Sequence, residues 1–272
     1  KEFGTKMLKL EGDLLDKDFI SSSLINHSPD YVFHLAASKS RNNTIEEFKT
    51  SHEINYFGTL NLLDSLRKCK NLELVALMGT IEEYGKTTSP FTEFSHEMPD
   101  SAYGLSKLSA TKLALIFNHQ FNLPTVIFRP SITFGPGQGL EMFIPALIKT
   151  LLKKLPFKMT KGEQLRDFIF IDDLIEGLIS CISSKNLEGQ IINIASGTSI
   201  KLKEMAINIS NMINANEYLK IGELPYRKSE IMNYSVEVTK AASLLNWESK
   251  TSVNAGLEKT ILFYKKELLN EA

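Results

Sequence analysis

Four short, almost wholly apolar runs constrain this chain most: "YVFHLAA" (residues 31–37), "ELVALMG" (73–79), "PTVIFRP" (124–130) and "GQIINIA" (189–195). Runs of this length without polar alternation suit strands buried on both faces, and such strands belong to parallel sheets covered by helices. Spans of helical length separate them. Residues 20–26 read as a short helix, and "HEINYFGTLNLLDSLRKC" (52–69) repeats Asn55, Thr59, Leu62, Leu63 and Leu66 at helical intervals. A capping serine, Ser101, opens a third helix over about 102–121. The fold expected is α/β: a Rossmann-like parallel sheet with helices on both faces.

Beyond Gly139 the rhythm loosens. A helix is expected around 141–154, then a turn at Lys161 and Gly162 and the segment "RDFIFIDDLIEGLISCI". "SIKLKEMAINISNMI" (199–213) reads as one further helix, and residues 222–247 as turns, one strand and a short helix. The expected division is a dinucleotide-binding half over residues 1–138 and a smaller C-terminal substrate-binding lobe over 139–272, with segments returning to the sheet.

The charge balance, 31 basic against 32 acidic residues, offers no electrostatic argument for nucleic acid or an anionic membrane. Cys69 and Cys181 are too few for a disulfide framework or a thiolate cluster, and both are expected in helices as small apolar residues. The five histidines lack the spacing of a local metal motif. No stretch reads as a transmembrane helix, so the expectation is a soluble cytoplasmic protein with no metal.

The chemistry concentrates in "SAYGLSKLSATKLA" (101–114), where Tyr103 and Lys107 lie four apart and share a helix face. An ammonium beside a phenol favours the phenolate, so the pair can shuttle a proton. The strand before this helix ends in "MGTIEEYG", and ligands of open parallel sheets sit at strand carboxyl ends. Thr80 can therefore reach the same crevice and polarise a substrate oxygen. Glu82 offers a carboxylate for acid or base work, with Glu83 competing for that role.

Taken in order, "GDLLD" (12–16), "HLAA" (34–37), "INYFGTLNLL" (54–63), "GTIEEYG" (79–85), "YGLSK" (103–107), "FGPGQG" (134–139), "GEQLRDFIFIDDL" (162–174) and "LLNW" (244–247) span nearly the whole chain. Together they resemble the extended short-chain dehydrogenase/reductase family, in its nucleotide-sugar epimerase/dehydratase branch. The resemblance implies that Tyr103 is the general acid/base, that Lys107 binds the nicotinamide ribose and tunes Tyr103, and that Thr80 positions the reacting sugar oxygen. It also implies Asp13 and Leu14 near the adenine, Ala36 and Ala37 beside the cofactor backbone, and Asn55 in cofactor support. Ser131 and Thr133 fall on a substrate-side loop, and Arg166 and Arg227 are the basic candidates for a nucleotide-sugar diphosphate. Asp167 could instead pair with Arg166 and Glu230 with Arg227, while Arg129 could be structural.

The activity implied is NAD(P)-dependent epimerisation or dehydration of a nucleotide sugar, with hydride transfer at sugar C4 coupled to proton transfer by Tyr103. NAD(H) is preferred; NADP(H) would suit the rival that "GELPYRKSE" (222–230) suggests, a 4-keto-6-deoxy nucleotide-sugar reductase. A degenerate nucleotide-sugar-binding or partner protein is the other alternative. Ile81 stands where dehydratases of the branch commonly carry a first carboxylate, and Ile132 where the substrate loop often carries asparagine. The branch also implies a leading βαβ unit with a glycine-rich turn; the displayed residues hold neither, and Gly12 is no substitute. A homodimer is expected through the helices around 55–68 and 102–119, with Leu62, Leu66, Leu108 and Leu115 as apolar candidates for the interface.

Overall fold

The computed structural model describes residues 8–39, 43–227 and 230–271. The chain runs through α1 (Lys17–His27), β1 (Tyr31–His34), α2 (Ile45–His52), a π-helical turn (Glu53–Phe57), α3 (Gly58–Leu66), β2 (Leu74–Met78), a 3-10 turn (Ile81–Glu83) and α4 (Ala102–Phe121). It continues through β3 (Thr125–Pro130), β4 (Ile132–Phe134), α5 (Phe143–Leu152), β5 (Phe157–Met159), β6 (Leu165–Phe170), α6 (Ile171–Ser180) and β7 (Gln190–Ile194). The rest is β8 (Ser199–Lys201), α7 (Leu202–Ile213), β9 (Leu219–Ile221), β10 (Asn233–Tyr234), α8 (Thr239–Leu245) and α9 (Val253–Glu271).

The four apolar runs form one parallel sheet in the order β1-β2-β3-β7. Successive side chains point to opposite faces, and both faces are covered. Val75, Leu77 and Ile127 pack against Leu62, Leu63 and Leu66 of α3 and Leu113, Ala114 and Phe117 of α4. Leu74, Ala76, Val126, Phe128 and Ile192 pack against Leu174 and Leu178 of α6, Ala241 and Leu245 of α8, and Trp247. Each buried Val, Leu, Ile or Phe among them contributes roughly 1.5–3 kcal/mol by leaving water. The Rossmann-like sheet is thus the architecture the runs foretell, and it brings the carboxyl ends of β1, β2 and β3 to one edge.

A second core lies around a smaller sheet in which β6 pairs with β10, β4 and, antiparallel, β8. Phe134, Phe168 and Phe170 meet Leu147 and Leu151 of α5, Met205 and Ile209 of α7, and Leu257 and Ile261 of α9 there.

Several expectations change. The helix expected over 52–69 begins at Ile45 and passes through the π turn. Residues 199–213 divide into β8 and α7, because Ser199–Lys201 finds a partner in β6. Ile132–Phe134, expected as loop, is a strand paired with β6, and α9 has no counterpart among the expected elements. Leu62 and Leu66 belong to the core, so they are not available to an outer surface; Phe57 at the end of the π turn and Leu105, Ile116 and Phe121 of α4 are the exposed large apolar side chains of these segments. Leu108 and Leu115 are half-buried, and both cysteines lie just beyond helices rather than within them, Cys69 after α3 and Cys181 after α6. Among the described residues no helix is long and apolar enough to cross a membrane.

Candidate active site

Thr80 stands two residues beyond β2 and caps the 3-10 turn in extended backbone. Its Oγ1 accepts the Glu82 N–H at 3.2 Å, and its own N–H donates to Glu83 Oε1 at 2.9 Å. The hydroxyl proton of Thr80 is therefore the group left to donate toward the crevice. The two adjacent glutamates have separated by burial. Glu83 is fully buried, its Oε2 accepting from Arg129 Nε at 2.9 Å and Nη2 at 2.6 Å. Glu82 stays half-buried, and its Oε2 accepts a long bond of 3.4 Å from Ser101 Oγ.

Ser101 also caps α4, accepting the Gly104 N–H at 3.0 Å. A Cβ on Gly104 would stand 2.8 Å from the Glu82 carbonyl, so only glycine lets the first turn of α4 press this closely on the Glu82 turn. Tyr103 precedes that glycine. Thr80 and Glu82, on one turn, and Tyr103, in the first turn of α4, thus come from two neighbouring segments at one corner of the sheet edge.

Lys107, one turn further along α4, is only 5% exposed. Burial pushes its ammonium down to about 8, and the Glu83 carboxylate works in the opposite direction. A small cavity beside it is lined by His34, Thr59, Gly79, Lys107 and Thr111 together with apolar side chains. His34 Nε2 lies 3.0 Å from Thr59 Oγ1, whose single proton goes to the Asn55 carbonyl at 2.6 Å. The imidazole must therefore carry its proton on Nε2. Burial, then the neighbouring Lys107 charge, takes His34 down to about 4, so it is neutral at pH 7.

Asn55 sits in the π turn, a distortion that recurs at functional sites. Its Oδ1 accepts the Ser38 N–H at 2.7 Å, and its Nδ2 donates to the Ser38 carbonyl and to Ser106 Oγ, both at 2.9 Å. It ties the loop beyond β1 to α4. Ala36 and Ala37 lie in that loop with exposed side chains. Asp13 is exposed and accepts the Leu15 N–H at 3.0 Å; the Leu14 carbonyl accepts from Asn61 Nδ2 of α3 at 3.0 Å.

On the far side of the crevice the pairings differ from the sequence expectation. The neighbour in sequence, Asp167, does not pair with Arg166; its Oδ1 accepts from Ser131 Oγ at 2.8 Å and from the N–H and hydroxyl of Ser196, both at 2.9 Å. Arg166 instead pairs with Glu230 and donates from Nη1 to the carbonyls of Leu165 and Ile231, each at 2.7 Å. Glu230 is therefore the partner of Arg166, not of Arg227, because β10 lies beside β6 and delivers it there. Arg227 is exposed. Thr133 Oγ1 donates to the Ser131 carbonyl at 3.3 Å. Sequence reasoning did not identify His34 or the Glu83–Arg129 pair as parts of this edge. The signal lay in "FHLAA" and "FRP", each a polar side chain inside an otherwise apolar strand.

A profile described as "NAD dependent epimerase/dehydratase family" matches residues 5–195. The chain is 30% identical over 264 residues to UDP-glucuronate 4-epimerase of Thermodesulfobacterium geofontis, covering 94% of this chain and 79% of that protein. It is 26% identical over 279 residues to dTDP-glucose 4,6-dehydratase 1 of Escherichia coli, covering 93% and 77%. Among solved structures it superposes on UDP-glucuronic acid 4-epimerase from Bacillus cereus, in complex with UDP-glucuronic acid and NAD, with a TM-score of 0.89. That pair is 27% identical and the match covers 98% of this chain and 84% of the other.

Proposed function

Because the chain is an enzyme of the NAD-dependent epimerase/dehydratase family, we propose that it carries out NAD-dependent oxidation at C4 of a nucleotide sugar, leading to epimerisation or dehydration. The observation that carries this reading is the buried Lys107 one helical turn from Tyr103, beside Thr80 at the carboxyl edge of the parallel sheet.

Tyr103 takes the proton of the C4 hydroxyl. Lys107, charged below pH about 8, lowers the cost of forming the phenolate from a phenol that ordinarily titrates near about 10. Thr80 donates its hydroxyl proton to the sugar oxygen and fixes the sugar face. Glu82, close to the same corner, handles the second proton movement that dehydration requires.

The residues present fit the cofactor. Ala36 and Ala37 leave the backbone beyond β1 approachable, and the ammonium of Lys107 borders a cavity rather than sealed packing. Lys107 would hold the nicotinamide ribose, Asp13 and Leu14 the adenine side, and Asn55 the loop between them. When bound, NAD supplies the hydride acceptor and donor for C4. Residues 139–272 form the substrate-facing lobe in this reading, with Ser131 and Thr133 on the sugar and Arg166 and Arg227 on the diphosphate. The exposed Phe57, Leu105 and Ile116 support a homodimer through α3 and α4.

The test is incubation of the full-length protein with NAD and a panel of UDP- and dTDP-hexoses, with products followed by NMR and mass spectrometry. A C4 epimer, or a product lacking one water, is expected. Neither NAD binding nor conversion of any sugar in the panel would overturn the reading.

A further inference from the structure

Glu83 is an unusual residue to bury. Its carboxylate lies under the end of β2 with both oxygens engaged: Oε2 takes two donors of Arg129, and Oε1 is left aimed at the Thr80 N–H. Room for it exists only because residue 79 is glycine; a Cβ there would stand 2.6 Å from Oε1. Arg129 is itself fully buried at the end of β3, over the Tyr84 ring, and its Nη2 also reaches Glu97 Oε1 at 3.1 Å. Glu97 in turn accepts from Lys112 of α4 at 2.8 Å. One chain of charges therefore runs from the Thr80 turn through Arg129 of β3 and Glu97 to the helix that bears Tyr103 and Lys107.

We infer that Glu83, oriented by Arg129, is a positioning residue that fixes Thr80 and holds negative charge beneath Lys107. This rests on the C4 reaction proposed above for its kinetic consequence, but not for its physical one. The Glu83 oxygen on the Thr80 N–H closes a capping box on the 3-10 turn, and what capping and ion pairing alone would not require is that the same carboxylate also act on Lys107. The charged and titratable groups around Lys107 are Glu83 from the 3-10 turn, His34 from β1 and Tyr103 on its own helix. Glu83 is the neighbour whose charge raises the ammonium's proton affinity, and His34, being neutral, adds no charge of its own.

The test is Glu83→Gln in the full-length protein, read by NMR of the Thr80 amide and of a 15N-lysine label, with the Lys107 signal assigned by its loss in Lys107→Met. The expected result is an upfield shift of the Thr80 amide proton and a Lys107 midpoint below the wild-type value near 8. With a nucleotide-sugar substrate, kcat falls about 10- to 100-fold while KM stays within about threefold. A folded variant with the Thr80 amide and Lys107 midpoint unmoved overturns the inference. If both signals move but the wild-type protein turns over no nucleotide sugar, the positioning role stands and the reaction proposed above falls. Should Glu83→Gln not fold, Glu83→Asp decides: a moved Thr80 amide with the Lys107 midpoint kept supports the role, and an unmoved amide overturns it. Failure of both variants to fold makes Glu83 a residue of the fold alone and also overturns it.

Discussion

His34 and Lys107 line the same small cavity, and at neutral pH only Lys107 carries a charge. Both are bases whose folded values lie below the ordinary ones, 4 against 6.5 and 8 against 10.5. In each window the unfolded chain binds the extra proton, so stability rises with pH across it. Each gap corresponds to roughly 3 kcal/mol. The His34 contribution is complete above pH 6.5 and is lost as pH falls through 4; the cost of burying charged Lys107 is relieved as pH rises from 8 to 10.5. Activity should run the other way at the alkaline end, declining above pH about 8 as Lys107 loses its proton. Denaturant titrations across pH, set beside kcat across pH, check both limbs; activity undiminished above that pH would remove Lys107's charge from the reaction.

Tyr103→Phe removes the hydroxyl and keeps the ring. Loss of a positioned acid/base costs about 10²- to 10⁴-fold in rate. The expected variant loses kcat on that scale, with its melting temperature and its affinity for NAD close to wild type. Turnover near the wild-type rate would show that another group moves the C4 proton.

How much of this was legible beforehand depended on whether a contact is local. The strands at Tyr31, Leu74, Thr125 and Gln190 announce themselves because burial on both faces leaves continuous apolar runs. Tyr103 and Lys107 announce themselves because helical spacing fixes their common face. The rivalry of Glu82 and Glu83 is invisible in "TIEEYG", since it is decided by Arg129, 46 residues away from Glu83. Arg166 is similar: its partner Glu230 is 64 residues on and arrives by strand pairing, so the adjacent Asp167 is the wrong guess. β8 is too short for its own periodicity to separate it from α7, and only its bonds to β6 define it.

Gly79→Ala probes the Glu83 seat from the backbone side. The added methyl would lie 2.6 Å from Glu83 Oε1, 3.1 Å from Ile127 Cγ2 and 3.2 Å from Arg129 Cγ. Crowding of this kind in a packed interior costs about 1–3 kcal/mol. Denaturation midpoints should drop accordingly, and the Thr80 amide should shift because its acceptor is displaced. A variant as stable as wild type would mean that the carboxylate yields at no cost.

Arg166→Lys keeps the charge and discards the fork. Lysine cannot reach the Leu165 and Ile231 carbonyls and Glu230 together, as Arg166 does. Unmade bonds to buried acceptors cost about 1–3 kcal/mol, which thermal melts will register. If Arg166 also meets the diphosphate, KM for the nucleotide sugar rises about 10-fold or more with kcat little changed, while NAD affinity holds. Unaltered KM would leave Arg166 to the β6–β10 junction and shift the diphosphate to Arg227.

Ile116→Glu addresses the outer face of α4. Ile116 is 54% exposed, and Leu105 on the same helix and Phe57 at the end of the π turn are also exposed, while Leu108 and Leu115 are half-buried between them and the core. A charge on an exposed position changes monomer stability by no more than about 0.5 kcal/mol. Placed in the apolar centre of a two-fold interface, however, it appears twice, once from each copy, and must be buried unpaired or keep the copies apart. Sedimentation of the wild-type protein should therefore report a dimer, and of the variant a monomer with an unchanged circular dichroism spectrum. A wild-type monomer at the same concentration would defeat the dimer, and a variant that still dimerises would move the interface off α4.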